Sequence, residues 1–297
     1  MKYAFKPVSK PLLTVWTIEK IMDAHASGLR ELNVTLDLGL SQETIKITSG
    51  SVIIRGIKVD LNVLGSVSDD SVYYVSEDGM LSKIAFYRGG SYYRLKAVAE
   101  DTAPTLEING IHMHRVKDVT PIVDTLLKVK AASVRKCSRV LDICTGLGYT
   151  AIMSVKKGAC SVISVEKDPN VLKIAEHNPW SRDLVDSRIE IYLADAVSFV
   201  KNLPSKHFDR IIHDPPRFSL AGELYSRSFY LELFRVLKTG GILFHYTGEP
   251  GRVRGKSIIQ GISRRLQETG FTVRRSRRAQ GLVAVSYTHL TLPTTER

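Results

Sequence analysis

The chain has 297 residues, of which 43% are hydrophobic and 24% are charged, as in an average soluble globular protein. No apolar run approaches the ~20 residues of a membrane-spanning helix, and residues 1–20 lack the apolar stretch of a signal peptide. The three cysteines, at positions 137, 144 and 160, are too few for a disulfide scaffold. Disordered, fibrous and membrane-spanning proteins are therefore excluded, and a cytoplasmic protein of one or two domains is predicted.

The first 117 residues predict a small β-rich domain. Apolar residues at helical spacing indicate one helix over residues 14–27. After it, short alternating runs are separated by turn formers, and Gly89-Gly90 between two aromatic runs is typical of a β-hairpin. The predicted strands are residues 34–38, 44–47, 52–57, 59–63, 72–75, 83–87, 92–97 and 105–108.

From residue 118 to residue 285, strand-like and helix-like segments alternate, beginning with a helix from Pro121 to about Ala132. This pattern predicts an α/β domain with a mostly parallel sheet covered by helices on both faces. Ligands of such folds bind at the carboxyl ends of the strands. The predicted strands are residues 140–143, 162–165, 189–193, 210–213, 241–246, 272–273 and 282–285, and the predicted helices are residues 151–157, 170–176, 197–202, 225–237 and 257–269.

Residues 286–297 are interpreted as a non-native tail. The run VSYTHLTLPTT, which begins at Val285, back-translates into a sequence similar to an adapter used in sequencing libraries. The fold prediction therefore stops before Ser286, as it would before a fusion scar.

The strongest chemical motif is VLDICTGLGYTA at residues 140–151. A buried strand reaches Asp142, a tight loop contains Gly146 and Gly148, and a helix follows. A Cβ at either glycine would hinder the turn or the close approach of a ligand. The next predicted strand ends at Glu166, where a carboxylate can accept both hydrogen bonds of a ribose diol. The combination predicts a nucleoside-binding site.

Two types of nucleotide ligand fit this loop. GLGYTA also satisfies the G-x-G-x-x-A pattern of nicotinamide-dinucleotide sites. However, Asp142 precedes the loop, where a carboxylate would oppose a pyrophosphate and would suit a cationic amino acid. The unit also lies mid-chain, behind a β domain, and the fourth strand ends in a chemical motif of its own. These features favour a nucleoside that carries a cationic amino acid.

Over residues 120–285 the chain resembles a class I S-adenosylmethionine-dependent methyltransferase, and it is most similar to a little-characterised archaeal branch. The resemblance implies a Rossmann-like fold with a seven-stranded, mostly parallel sheet, and S-adenosyl-L-methionine as the cofactor. It also implies that Glu166 binds the ribose hydroxyls and that Asp195 approaches the adenine amine. The cofactor-binding residues implied by the resemblance are Asp142, Thr145, Gly146, Leu147, Gly148, Tyr149, Glu166, Lys167, Asp195 and Ala196.

The motif HDPPRFS at residues 213–219 follows the fourth strand of this unit, where the family has the floor of its reaction site. Asp214 is predicted to accept a hydrogen bond from an attacking amine. The stiff Pro215-Pro216 pair would hold that carboxylate in place. Arg217 would bind a phosphate or carboxylate of the acceptor, or it is a surface charge. These four residues are the predicted catalytic set.

The segment Arg252 to Arg278 carries nine basic residues against the single acid Glu268. Such a patch suits a polyanion, because each neutralised phosphate releases condensed counterions. The HDPPRFS motif resembles exocyclic-amine methyltransferases that act on nucleic acid, although Arg217 stands where those enzymes usually have an aromatic residue. With the basic segment, this resemblance implies methylation of an amine nitrogen of RNA or another nucleic acid, with a small-molecule acceptor as the open alternative. The DPPR run also resembles C5-uridine methyltransferases, but their covalent chemistry needs a cysteine beyond the motif and no cysteine follows Cys160.

Two other functions compete with this prediction. Residues 224–244 resemble the segment after strand four in spermidine-synthase-like aminopropyltransferases, which share this fold, have a small N-terminal β domain and use decarboxylated S-adenosylmethionine. A polyamine pocket should be acidic, so the excess of arginine argues against that reading. A non-enzymatic RNA-binding protein with a degenerate fold is disfavoured by the intact Asp142, Gly146, Gly148 and Glu166.

The histidines of the IHMHR segment lie on one side of a predicted strand. His112 and His114 are interpreted as a pair at a pocket edge, and no metal is predicted because no further ligands lie nearby in the sequence. If the β domain closes over the cofactor, His114 or Arg115 would contact the substrate.

Overall fold

The computed structural model describes residues 1–248 and 254–287. Arg252, most of the predicted tail, and the side chains of Arg254 and Lys256 lie outside the described residues. In the described ranges, no helix combines the length and the apolar character that a membrane span requires.

Residues 12–112 form three small antiparallel sheets, with strand orders β1-β6-β7, β2-β3-β4-β5 and β11-β10-β9-β8 in chain-order numbering. The strands are β1 Leu12–Leu13, β2 Glu31–Val34, β3 Glu43–Ile47, β4 Ser51–Ile54, β5 Ile57–Asp60, β6 Tyr73–Val75, β7 Leu81–Lys83, β8 Ala85–Arg88, β9 Ser91–Lys96, β10 Thr105–Ile108 and β11 Ile111–His112. The helices of this region are α1 Val15–Ala26 and α2 Leu61–Gly65.

Three of the predicted strands in this half are wrong. The run 52–57 breaks at Arg55-Gly56, where both residues have positive φ and form the turn between β4 and β5. The run 59–63 is a strand only as far as Asp60, and helix α2 begins at Leu61 because the Asp60 side chain accepts a hydrogen bond from Asn62 N and caps the helix. The run 34–38 leaves the sheet at Val34, the last residue of β2.

The second half confirms the predicted fold class, since a seven-stranded sheet lies at its centre. Its strands are β12 Arg139–Ile143, β13 Ser161–Glu166, β14 Ile189–Leu193, β15 Phe208–His213, β16 Leu237–Tyr246, β17 Phe271–Ser276 and β18 Gly281–Ser286. The spatial order is β14-β13-β12-β15-β16-β18-β17, with β18 antiparallel to both of its neighbours and the pairs from β14 to β16 parallel. Strands β13 and β14 lie on one side of β12, and β15 and β16 lie on the other. The strand order therefore reverses between β12 and β15, which is the topological switch point of the sheet.

The helices of this half begin where the sequence supplies caps. Thr120 caps α3, Asp168 caps α5, Asp195 caps α6 and Ser226 caps α7. Ser286, which the prediction assigned to the tail, is the last residue of β18 and pairs with Phe271. The helices are α3 Pro121–Ala131, α4 Tyr149–Lys156, α5 Pro169–Glu176, α6 Ala196–Lys201, α7 Arg227–Val236 and α8 Arg254–Glu268, with short 3₁₀ helices at Pro179–Val185 and Gly222–Tyr225.

One hydrophobic cluster joins the two halves. Leu95 and Leu106 from the N-terminal sheets share it with Leu147, Tyr149 and Ile174 from the α/β half. The Tyr149 hydroxyl also donates a hydrogen bond of 2.9 Å to the carbonyl oxygen of Pro104. The sheet β8–β11 is thereby held against the carboxyl ends of the parallel strands, where it covers the candidate site.

Candidate active site

A cavity of about 420 Å³ lies at the carboxyl ends of the parallel strands, within the range of small-molecule sites. The sheet β8–β11 forms one wall, and the segments after β12, β13, β14 and β15 form the other. Its lining includes Tyr93, Leu106, Ile108, Ile111, Met113, His114, Thr125, Cys144, Thr145, Gly146, Tyr149, Thr150, Glu166, Lys167, Asp168, Asp195, Ala196, Asp214, Pro215, Pro216, Leu220 and Glu223.

The loop after β12 turns through three residues with positive φ, namely Cys144, Gly146 and Gly148. Gly146 lines the cavity, and a Cβ built there has no neighbour within 4 Å. A Cβ at Gly148 would come within 2.5 Å of the Leu184 side chain. Gly148 is therefore required for packing. It does not line the cavity, and its predicted contact with a ligand stays a prediction.

Two other predicted cofactor contacts also lie beneath the cavity. Leu147 is fully buried in the cluster that joins the two halves. Asp142 is fully buried opposite Ser164 on β13 and does not line the cavity. Its Oδ2 accepts a hydrogen bond of 2.7 Å from Ser164 Oγ, which is 2.7 Å from Thr145 Oγ1. The hydroxyl groups of Ser164 and Thr145 thus connect the Asp142 side chain to the loop after β12, and Asp142 stabilises that loop.

The buried position of Asp142 has an electrostatic consequence. Its Oδ1 has no hydrogen-bond partner among the described residues, and burial raises the pKa of Asp142 to about 7.

Glu166 is the carboxylate that the backbone presents to the cavity. Its Oε2 accepts from Gly146 N at 3.1 Å, and its Oε1 accepts from Lys167 N at 2.9 Å and Asp168 N at 3.0 Å. Burial raises the pKa of Glu166, while these backbone donors lower it. The three bonds fix the orientation of the carboxylate and leave one lone pair, on Oε2, for a further donor.

The other acidic residues of this wall have a second role as helix caps. Asp168 caps α5 and accepts a hydrogen bond of 2.6 Å from the Tyr93 hydroxyl of the N-terminal sheet. Asp195 caps α6 by accepting from Ser198 N at 3.0 Å. Both side chains line the cavity, as do Lys167 and Ala196.

The segment after β15 brings Asp214, Pro215 and Pro216 to the cavity. Arg217 is exposed and does not line it. The chain turns outward after Pro216, whose carbonyl oxygen accepts a hydrogen bond of 2.7 Å from the Tyr225 hydroxyl. The structure therefore separates Arg217 from the other three residues of the predicted catalytic set, and its catalytic role stays a prediction.

A buried ion network behind Asp214 was not found by sequence reasoning. Lys128 on α3 is 1% exposed, and its Nζ lies 2.6 Å from Asp214 Oδ2 and 2.9 Å from Asp124 Oδ2. The Nζ also lies 4.1 Å from the centre of the Tyr246 ring. Arg115 donates to Asp124 Oδ1 at 3.2 Å and to the carbonyl oxygen of Arg278 at 3.1 Å. The only sequence signal is the i, i+4 spacing of Asp124 and Lys128, which also occurs on solvated helices.

The two histidines near the cavity have different surroundings. His112 Nε2 lies 3.1 Å from Glu107 Oε2. His114 lines the cavity, its Nδ1 is 3.1 Å from Thr105 Oγ1, and burial lowers its pKa to about 3. A neutral His114 with Nδ1 engaged has Nε2 left to meet a bound molecule. Among the described residues, no group of three His, Cys, Asp or Glu side chains is placed to hold a metal ion.

The strand order and the motif positions agree with the comparisons to known proteins. The sequence model of the TRM5/TYW2 methyltransferase domain matches residues 127–274. An uncharacterized protein of Methanocaldococcus jannaschii is 46% identical over 270 residues, which cover 87% of this chain and 91% of that protein. The chain belongs to the class I S-adenosylmethionine-dependent methyltransferases. This result confirms both the predicted family and the similarity to an archaeal branch.

The methyltransferase is also similar to aminopropyltransferases. The polyamine aminopropyltransferase of Prochlorococcus marinus strain AS9601 is 30% identical over 193 residues, which cover 61% of this chain and 66% of that protein. A crystal structure of spermidine synthase in complex with the transition state analogue AdoDATO has a TM-score of 0.55 at 20% identity, covering 69% of this chain and 73% of the other. At this identity, the structural similarity shows a shared fold alone.

Proposed function

We propose that this methyltransferase transfers a methyl group from S-adenosylmethionine to an amine nitrogen of RNA or another nucleic acid. The observation that carries the proposal is the position of Asp214, whose carboxylate faces the same cavity as Gly146 and Glu166. A donor held by the loop and an acceptor held beside Asp214 would therefore meet inside one enclosed space.

The residues of the cavity fit the donor. Glu166 offers its remaining lone pair, on Oε2, to a hydroxyl of the ribose diol, and Gly146 leaves the backbone open to close approach. Asp195 and Ala196 would face the adenine end, and Thr145 and Tyr149 would lie along the ribose and the amino acid. When bound, S-adenosylmethionine supplies an electrophilic methyl group, and its sulfonium becomes a neutral thioether once the new N–C bond has formed.

Asp214 has the surroundings of a group that manages the acceptor's proton. Burial raises its pKa and Lys128 lowers it, with a net increase. Its Oδ2 is bound by Lys128, so Oδ1 is the oxygen left to accept a hydrogen bond from the acceptor N–H. As nitrogen gains the methyl group it must lose a proton, and this oxygen is placed to receive it.

The basic C-terminal hairpin supports a nucleic-acid acceptor. Strand β17 runs parallel to β16, because both are antiparallel to β18. The turn after β17 therefore lies at the same edge of the sheet as the cavity. Arg274, Arg275, Arg277 and Arg278 are exposed along this strand and turn. A phosphate backbone that follows them would approach the site.

Removing two of these charges should weaken the binding of RNA and reduce its salt dependence. The variant Arg277→Ala/Arg278→Ala is expected to lower the slope of log K against log salt by about 0.7–0.9 per lost phosphate contact. Lys46→Ala/Lys58→Ala removes two exposed charges from the N-terminal sheet and is the matched control. Filter binding across a salt series measures both variants. A flat salt response of the native protein, or equal effects of the two variants, would contradict RNA binding by the hairpin.

A second candidate function has support from the cavity itself. Among the lysine, arginine, aspartate and glutamate side chains that line it, acids predominate. They are one lysine, Lys167, and the carboxylates Glu166, Asp168, Asp195, Asp214 and Glu223. The arginine excess that argued against a polyamine lies outside the cavity, on the exposed hairpin. The chain is also similar to polyamine aminopropyltransferases. Transfer of an aminopropyl group to a polyamine is therefore the alternative that an assay must exclude.

A transfer assay with separated acceptor pools decides between the two functions. The protein is incubated with S-adenosylmethionine labelled in its methyl group, and RNA, protein and polyamines are then separated. We expect label in the RNA pool, on a nucleoside with a methylated amine. Label confined to polyamines or protein would contradict the RNA acceptor. A parallel incubation contains decarboxylated S-adenosylmethionine and a polyamine. An aminopropylated polyamine in that incubation, together with no methyl transfer to any pool in the first, would support the alternative.

A further inference from the structure

We propose that Lys128 is a positioning residue for the methyl-transfer reaction, which holds the Asp214 carboxylate in one orientation and in its charged form. The inference rests on the proposed function, because it takes Asp214 as the group that receives the proton of the acceptor. Lys128 lies behind Asp214 and does not line the cavity, so it would act through Asp214 alone.

The geometry of the network carries the inference. A lysine that is 1% exposed is costly to bury, and its charge is balanced here by two carboxylates within 3 Å. Asp124 is fully buried and is shared with Arg115, so one of the two acids is compensated without Asp214. The second contact of Lys128 is thus directed at Asp214. Among the described residues, Oδ2 is the only oxygen of that carboxylate with a side-chain partner. The result is a carboxylate with one fixed oxygen and one free oxygen.

The residues of the ion network come from three separate parts of the chain. Lys128 and Asp124 lie on α3, Arg115 lies in the segment before it, and Tyr246 ends β16. Arg115 contacts the carbonyl oxygen of Arg278 in the basic hairpin. Rigid support of this kind is what a reacting group needs, since a small displacement from the productive geometry is costly.

Removal of the Lys128 charge changes the protonation of Asp214 in a defined direction. Burial raises the pKa of Asp214 and Lys128 lowers it. Without the Lys128 charge, the pKa of Asp214 should therefore be higher than in the native protein. An opposite charge at this distance lowers a carboxyl pKa by about 1–3 units. The other titratable or charged groups around Asp214 are Asp124, Arg115, Tyr246, Tyr225, Cys144, Asp142 and Glu166.

The test is the pH profile of kcat/KM for methyl transfer, with labelled S-adenosylmethionine and total RNA. Because an unprotonated Asp214 is required, the acid limb of Lys128→Met should move to higher pH by about 1–3 units, and the rate below it should fall about tenfold per pH unit. Lys128→Arg keeps the charge and should restore the native midpoint. Lys130→Met removes an exposed lysine of the same helix and should leave the profile unchanged.

A second variant protects the test against misfolding. Asp124→Asn/Lys128→Met removes one charge of each sign from the network and should show an alkaline shift smaller than that of Lys128→Met, because the Asp124 carboxylate itself raises the pKa of Asp214. If Lys128→Met and Asp124→Asn/Lys128→Met both keep the native acid limb while Asp214→Ala is inactive, Lys128 is a structural residue only. The inference about Lys128 then fails, and the proposed function stands. If Asp214→Ala retains turnover, the proposed function fails first. An acid limb that moves equally in Lys130→Met would also overturn the role of Lys128.

Discussion

Replacement of Asp214 by alanine is expected to lower methyl transfer by about 10²–10⁴-fold, the usual contribution of a group that accepts a proton in the transition state. Binding of the donor should be preserved, because Asp214 lies on the acceptor side of the cavity and Glu166 lies on the donor side. Single-turnover transfer and calorimetric titration of S-adenosylhomocysteine measure the two effects separately.

Two further variants control this experiment. Asp214→Asn keeps the shape of the side chain and should be about as inactive as Asp214→Ala, since an amide cannot take up the proton. Asp209→Asn changes an acid near the start of the same strand, where Asp209 is bound by Lys238 and by Arg139 N, and it should retain transfer. Native turnover in Asp214→Asn would remove proton acceptance from the mechanism and leave Asp214 with an orienting role only.

The sheet of the second half was predictable because its signals are local. Strand-like runs and turn formers follow one another at regular spacing, and Asp168, Asp195 and Ser226 cap helices where the sequence places them. The glycine loop and Glu166 were predictable for the same reason, since both follow directly from the ends of buried strands.

The sequence did not indicate which of the predicted site residues line the cavity, because this depends on packing between distant segments. Asp142 and Gly148 belong to the right motif, yet one points across the sheet to Ser164 and the other packs against Leu184. Arg217 follows the right prolines, but the chain has already turned outward at that residue. A motif specifies the path of the backbone near a ligand, and it does not state which of its side chains reach the ligand.

The ion network shows a different limit of sequence reasoning. Asp124 and Lys128 have the spacing of an ordinary solvated pair, and Asp214 lies 86 residues beyond Lys128. Burial of the pair follows from the packing of α3 beneath the carboxyl ends of β15 and β16, and nothing in the sequence near Lys128 marks it. The boundary between residues 117 and 118 stays a prediction, and one hydrophobic cluster extends across it.

Replacement of Glu166 by alanine is the second large effect that we expect. The variant loses a buried carboxylate that has one lone pair left for the methyl donor and that accepts hydrogen bonds from the N–H groups of Gly146, Lys167 and Asp168. A hydrogen bond to a charged group contributes about 1.5–3 kcal/mol. Loss of that bond should therefore weaken donor binding by about 10–100-fold. Glu190→Ala on the neighbouring strand β14, an acid paired with Lys2 at the surface, is the matched control.

Calorimetric titration of S-adenosylhomocysteine into the native protein and into Glu166→Ala tests the central claim most directly. We predict one site per chain in the native protein and in Glu190→Ala, and strongly weakened binding in Glu166→Ala. Equal affinity of the native protein and Glu166→Ala would show that the donor binds elsewhere, and absence of binding to the native protein would contradict the assignment of this cavity.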